Sequence, residues 1–230
     1  MPHRFLLSIV EPNRPNTSVD IEVRQVLLAG YTGRDLAKVM EHIEELEQLG
    51  VPPPPRVPMV YVVDGGLLTT DARITVRHGE TSGEAEFYLV LSGQGLLVGV
   101  GSDHTDRREE AVDVQSSKGL CPKVISREVW RHEEVRGHWD RLELRSWSTS
   151  GGSRRLYQEG RLNAFFPVEA ILAEVRTAAY VPAKDLVFSG TLPTIGGLAY
   201  GDRFEAELRD PVLGRTLSLA YDVAVSETLT

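Results

Sequence analysis

The sequence has almost no cysteine, no excess of basic charge and no long apolar run, and each absence removes a class of answer. Cys121 is the sole cysteine among 230 residues, so no intrachain disulfide can form, and a reducing compartment is the simplest setting. Lysine and arginine number 25 against 33 aspartates and glutamates, a formal charge of −8, and acids interleave with nearly every arginine. A general nucleic-acid surface needs clustered cations facing phosphates and is thereby excluded. No apolar stretch is long enough to cross a bilayer, and residues 1–10 carry neither an apolar signal region nor a small-residue cleavage site. The expectation is one cytoplasmic globular domain over 1–230, without nucleic-acid or membrane partners, internal repeats or low-complexity tracts.

What is present reads as mainly β, of the α+β kind. Short strand-like runs at Arg4–Val10 and Ile21–Leu28 flank a turn cluster of Pro12, Pro15 and Asn16. From Asp35 to Leu49 the period changes: Leu36, Val39, Met40, Ile43 and Leu46 fall at helical spacing, Gly50 is placed to stop the helix, and Pro52–Pro55 cannot continue it. Further β-rich segments follow at Met59–Val63, Ile74–Arg77, Ala85–Leu91 and Leu96–Val100. Glu128–Trp139 is charged and reads as a short helix or an irregular edge. Leu142–Gln158 reads as a hairpin around Gly151-Gly152. Pro167–Ala178 is a second helix, and Asp185–Phe188, Phe204–Leu208 and Leu217–Val225 return to strands.

Glu84 and Glu86 are the most informative pair. They stand two apart in an apolar run, so they emerge on one face of a strand, where like-charge repulsion is costly unless a cation lies between them. Asp103, in Val-Gly-Ser-Asp-His-Thr-Asp-Arg, supplies a third carboxylate if the two segments are neighbouring strands. Hard oxygen ligands favour Mg²⁺ or Mn²⁺, with Ca²⁺ as a substitute. The plain alternative is a solvent-facing edge of an amphipathic strand. His104, next to Asp103 on an extended segment, points the other way and is left out of the ligand set. Arg107 and Asp106 read as a structural pair, and Trp130, Trp139 and Trp147 as packing residues.

The order of these pieces resembles the fumarylacetoacetate hydrolase superfamily, and more closely its small DUF2848-type members. Glu84-Ala85-Glu86 is similar to the family's Glu-x-Glu metal strand, and Ser102-Asp103-His104-Thr105-Asp106-Arg107 to its Asn-Asp-x-Ser-x-Arg-Asp segment, whose first aspartate is the third ligand. Lys118-Gly119-Leu120-Cys121-Pro122 is similar to a lysine before a Cys-Pro pair. Ser189-Gly190-Thr191-Leu192-Pro193 resembles the substrate loop, and Tyr200-Gly201-Asp202 the Gly-Asp turn that leads into a strand. His42 and Glu45 reproduce a His-x-x-Glu in the lid, where the family forms a water-activating dyad, and Gln158 stands where a glutamine faces the substrate.

The resemblance implies a mixed β-roll with few helices, in which N-terminal strands and a short helical lid (1–58) precede a metal-binding β core (59–230). It implies His42, Glu45 and Lys118 as catalytic residues, Gly190, Thr191 and Gln158 as substrate-binding residues, and Glu84, Glu86 and Asp103 as metal ligands. The implied activity is metal-dependent hydrolysis of a carbon–carbon bond in a small keto or diketo acid, by a homodimer. The alternatives are a decarboxylase or an isomerase or hydratase on the same platform, and a non-catalytic metal- or ligand-binding β protein. Bland readings stand beside the site roles: a solvated helix face for His42 and Glu45, a solvated loop lysine for Lys118, an ordinary Gly-Thr loop for Gly190 and Thr191. Ser102 replaces asparagine, Asp103 follows the glutamates sooner than in most members, and the loop after Lys118 is shorter, so substrate identity is not carried over.

Overall fold

Strand Ala85–Ser92 sets the architecture, because both of its faces are buried. Ala85, Phe87 and Leu89 enter one apolar cluster, and Tyr88 and Val90 a second cluster on the opposite side. A computed structural model shows this arrangement and describes residues 2–12, 14–48, 51–178 and 180–226; the side chains of His42, Glu45 and Leu46 lie outside the described set. Its larger sheet has ten strands. The main path runs Thr17–Val23, His3–Ile9, Glu128–Arg131, Gly95–Asp103, Ala85–Ser92, Asp185–Phe188, Gln25–Gly30, Met59–Asp64, with Lys123–Ile125 also paired to Gly95–Asp103 and to Leu68–Thr69. A five-stranded sheet, ordered Ser153–Arg161, Glu143–Ser150, Arg203–Asp210, Arg215–Val225, Arg73–Val76, packs against it through Phe87, Leu144, Phe204 and Tyr221. Mixed parallel and antiparallel pairing and a few short helices complete the β-rich fold expected from the sequence.

Two expectations change. Ile21–Leu28 is not one strand but two, Thr17–Val23 and Gln25–Gly30, broken at Arg24. The break exchanges partners: the first half pairs with His3–Ile9, the second with Asp185–Phe188 and Met59–Asp64, and the Arg24 guanidinium meets the buried Asp185 at 3.1 Å. The larger sheet also crosses the division expected at residue 58, since Gln25–Gly30 lies inside it between Asp185–Phe188 and Met59–Asp64.

The lid helix spans Leu36–Gln48. Asp35 opens it by accepting from the Lys38 N–H at 3.3 Å; Gly50, its expected stop, lies outside the described residues. Of the expected apolar stripe, Ile43 is buried and Val39 half-buried, but Leu36 and Met40 are 55% and 48% exposed. The helix therefore covers the body with only part of its apolar face. The other expected helix forms as Val168–Arg176, and the hairpin turns at Gly151-Gly152, both with positive φ as a two-residue hairpin turn requires. Glu128–Trp139 resolves into strand Glu128–Arg131, helix His132–Val135 and a 3₁₀ segment from Arg136. Trp130 and Trp139 sit in the core, as packing residues. Among the described residues no helix is long and apolar enough to cross a membrane.

Candidate metal centre and cavity

The strand pair Ala85–Ser92 and Gly95–Asp103 brings the acids together. Ala85 lies opposite Ser102 and Glu86 opposite Gly101, and the Asp103 N–H donates to the Glu84 carbonyl at 3.0 Å. The strand itself begins at Ala85, so Glu84 stands at its mouth and Glu86 within it. One carboxylate oxygen from each of Glu84, Glu86 and Asp103 lies within 4.8 Å of the others. Two glycines on the Asp103 strand make room for aromatic rings of the core: a Cβ at Gly99 would clash with the Tyr88 ring, and one at Gly101 would meet the Phe188 ring at 2.6 Å. The bland reading, a solvent-facing edge, fails because Glu86 and Asp103 are buried.

Lys118 is not a solvated loop lysine. It is buried on helix Val114–Leu120, whose first turn Asp113 caps by accepting from the Ser116 N–H at 2.6 Å. Its Nζ donates to Glu84 Oε2 at 2.6 Å and Thr105 Oγ1 at 3.0 Å and lies 2.9 Å from Asp103 Oδ2. Two further cations were not read as site residues from the sequence. Lys123, 0% exposed, places Nζ 2.5 Å from Asp103 Oδ1 in an ion pair that leaves this oxygen without a directed hydrogen bond. Arg107 donates to Glu84 Oε1 at 3.0 Å, to Glu110 Oε2 at 2.7 Å and to Ser82 Oγ at 2.8 Å. Arg107 and Asp106 are thus no pair: Asp106 caps the turn that follows and meets His78 at 2.9 Å. The signal for Arg107 lay in the Asp-x-x-Asp-Arg run itself; Lys123 had none beyond its place after Cys121-Pro122.

The electrostatics separate the three acids. Burial alone would raise the Glu84 carboxyl, but the charges and hydrogen bonds of Lys118 and Arg107 pull it down to about 2. Glu86 is pushed well above the usual carboxylate range by burial first, then by Asp103 and Glu84. Among the described residues it has no ion-pair partner, only the Gly190 N–H, donated to Oε2 at 2.7 Å. Lys118 is held well above its ordinary value: burial opposes its charge, and Asp103 and Glu84 overcome this. Three carboxylates, Glu86 and Asp103 buried and Glu84 part-buried, all offering hard oxygen and one without a cation among the described residues, are a donor set suited to a divalent ion of the Mg²⁺ or Mn²⁺ type. His104 points away, as expected, bonding Tyr221 and Thr81 through its two ring nitrogens at 2.9 Å each. Burial drops its pKa to about 3 and keeps it neutral.

The acids form part of the lining of a cavity of about 490 Å³, with Lys118, Gly190, Thr191 and the lid residues Lys38 and Val39. Gly190 is a necessary glycine: its φ is +88°, and a Cβ there would meet Thr32 Oγ1 at 2.6 Å and the Ala29 carbonyl at 2.7 Å. Thr191 donates to the Ala85 carbonyl at 3.0 Å. Gln158 does not reach the cavity, contrary to the expectation that it faces substrate. It is 0% exposed; its amide oxygen accepts from Ala85 N–H and Ser146 Oγ at 2.9 Å each, and its nitrogen donates to Thr191 Oγ1 at 2.7 Å and the Leu192 carbonyl at 2.6 Å. All four of its hydrogen-bonding positions are thereby spent on the wall behind the acids. His42 and Glu45 ride on the lid helix, and their side chains lie outside the described residues.

The family model of DUF2848, described as a protein of unknown function, matches residues 29–221, a span that holds the three acids, Lys118 and the Gly190 turn. The chain belongs to the DUF2848 family. A search of curated proteins finds no match. Among solved structures this DUF2848 chain is similar to Cg1458, at 14% identity over 97% of this chain and 89% of that one, with a TM-score of 0.64. It is similar to 2-keto-3-deoxyarabinonate dehydratase in a hexagonal crystal form, at 16% identity over 90% and 75% of the two chains, with a TM-score of 0.66. It is also similar to 2-keto-3-deoxy-D-arabinonate dehydratase complexed with magnesium and 2,5-dioxopentanoate, at 18% identity over 94% and 79%, with a TM-score of 0.62. At such identities the likeness shows the fold, that of fumarylacetoacetate hydrolase-like proteins.

Proposed function

We propose that the protein is a divalent-metal-dependent enzyme acting on a small keto or diketo acid, with hydrolysis of a carbon–carbon bond as its reaction. One observation carries the reading: three carboxylates, two of them buried and Glu84 part-buried, converge in the wall of a cavity that also presents a buried lysine and a glycine turn. Glu84, Glu86 and Asp103 would hold the ion, which when bound supplies a Lewis acid for negative charge developing on a carbonyl oxygen. Lys118, once its carboxylate partners are shared with that ion, turns an N–H toward the substrate carboxylate. Gly190 keeps Glu86 aimed, and Thr191 forms the adjacent wall with Gln158 behind it. Leu28, Tyr61, Phe165 and Leu192 line the rest and exclude water from the reacting carbons. Position 42 follows Lys38 and Val39, which line the cavity, by one helical turn in sequence, and this spacing supports a site role for His42. His42 takes the proton of the attacking water, and Glu45, three residues on, steers its ring. A homodimer belongs to the same proposal.

A specific finding favours a second reading. A magnesium-complexed keto-acid dehydratase shares the fold, so hydration or dehydration, like decarboxylation and isomerisation, is an alternative use of the same site. The test is metal content by elemental analysis, followed by turnover of a panel of acylpyruvates, oxaloacetate and 2-keto-3-deoxy sugar acids with and without chelator. One divalent ion per chain and chelator-sensitive cleavage of an acylpyruvate are expected. An ion without turnover of any panel member would leave a metal-binding protein, and absence of a bound divalent ion would end the reading.

A further inference from the structure

Lys118 apart, the donors expected to hold a substrate are already committed. The Thr191 hydroxyl serves the Ala85 carbonyl, the Gly190 N–H serves Glu86, and Gln158 is spent behind the wall. Of the other donors that line the cavity, Thr32 serves the Ser189 carbonyl, Arg34 is held by Asp140 and the Phe165 carbonyl, and Asn163 and Lys38 are exposed. A keto acid in this cavity also meets the hydroxyl-bearing side chains of Tyr31 and Tyr61, both of them lining residues.

Tyr31 is also conformationally unusual. Its φ is +59°, and among the described residues the one other non-glycine with positive φ is Ala183, in an exposed turn. A tyrosine is rarely left-handed, because its Cβ crowds the following carbonyl, and asparagine or glycine would relieve the strain. The residue follows the end of strand Gln25–Gly30 and precedes the lid helix, and glycine at position 30 leaves space for the Tyr61 ring, 3.3 Å from where a Cβ would stand. Burial, reinforced by Glu110, raises the Tyr31 pKa and keeps the hydroxyl protonated, while Lys118 and Glu84 lie near enough to act on it.

We infer that Tyr31 is a substrate-contacting residue, whose hydroxyl donates a hydrogen bond to the carboxylate or carbonyl oxygen of the keto acid held beside Glu84, Glu86 and Asp103. Its left-handed backbone is the strain the fold accepts to present that group. The inference rests on the reading of the site as a metal and keto-acid centre, and the experiment separates the two. Calorimetric titration of wild type, Y31F, Y31N and Y61F with Mg²⁺ alone, and then with oxalate in saturating Mg²⁺, is read together with the thermal midpoint. Y31F should keep wild-type Mg²⁺ affinity and thermal midpoint yet bind oxalate about 10–100-fold more weakly, the loss typical of a hydrogen bond to a charged group. Y31N, which suits the left-handed backbone, should fold and show the same loss, and Y61F a smaller one, since it removes a neighbouring hydroxyl of the cavity wall and leaves Tyr31 in place. Oxalate binding in Y31F equal to wild type overturns the role of Tyr31 and leaves the metal centre standing. A wild-type protein that takes up neither Mg²⁺ nor oxalate overturns the site reading, and this inference with it.

Discussion

Replacing Lys118 by methionine tests whether the buried ammonium and a divalent ion answer the same need. The side chain is of similar length, so the packing of helix Val114–Leu120 changes little, but the contacts to Glu84 at 2.6 Å, Asp103 at 2.9 Å and Thr105 at 3.0 Å are lost. Glu84 and Asp103 then press on each other and on Glu86 with only Arg107 and Lys123 to offset them. Breaking a buried ion pair by removing one partner costs about 3–5 kcal/mol, because a buried charge is left uncompensated. For a chain of this size that is about 6–20 °C in the thermal midpoint, at roughly 2–4 °C per kcal/mol. A divalent ion among the same oxygens offsets the repulsion, so Mg²⁺ should restore most of the midpoint in K118M and bind it more tightly than wild type, since a competing cation has gone. The assay is thermal unfolding of both proteins in chelator and across an Mg²⁺ series. A K118M protein as stable as wild type in chelator would show that the lysine does not neutralise the cluster. A destabilised variant that Mg²⁺ fails to rescue would show that the ion does not sit among these acids.

Three further outcomes are expected. E86Q keeps the shape and the acceptor for the Gly190 N–H, so its stability in chelator should stay within about 1 kcal/mol of wild type, while the gain of about 2.7 kcal/mol that a ligand at a hundredfold its Kd gives wild type disappears; unchanged metal content on elemental analysis would remove Glu86 from the ligand set. H42A should retain its ion and its oxalate affinity by calorimetry and lose about 10²–10⁴-fold in turnover, with E45Q milder; full activity in H42A would leave only the metal site standing. Q158L strands the buried Ala85 N–H and Leu192 carbonyl at about 1–3 kcal/mol each, so its denaturation midpoint should fall and its Mg²⁺ affinity with it, as Ala85 separates the two glutamates; an undisturbed midpoint would show that the wall does not depend on this amide.

What could be read from the sequence, and what could not, follows the range of the interactions. The lid helix and the Gly151-Gly152 hairpin announce themselves within a few residues, through a 3.6-residue period and a turn dipeptide. The Glu84 and Glu86 pair is equally local, a two-residue period in an otherwise apolar strand. Asp103 was reachable because its strand is the next one along, joined by a tight turn at Gly95. The cations that charge-match these acids obey no local rule. Arg107 is 23 residues from the Glu84 it bonds, and Lys123 reaches Asp103 only because Lys123–Ile125 pairs antiparallel with the end of Gly95–Asp103, putting residue 123 opposite residue 103. Gln158 failed for the same cause in reverse: its position in the chain suggested a ligand-facing amide, and a register that sets Ser146 across from it, with Ala85 and Leu192 within reach, consumed every bond it had to give. Composition showed acids in excess, yet the fold spends its scarcer cations, Lys118, Lys123 and Arg107, on one carboxylate cluster and, among the described residues, leaves Glu86 without one. Glu86 is therefore where an ion would enter: burial and its two acidic neighbours favour a proton there, and a divalent cation among the three carboxylates would take that proton's place.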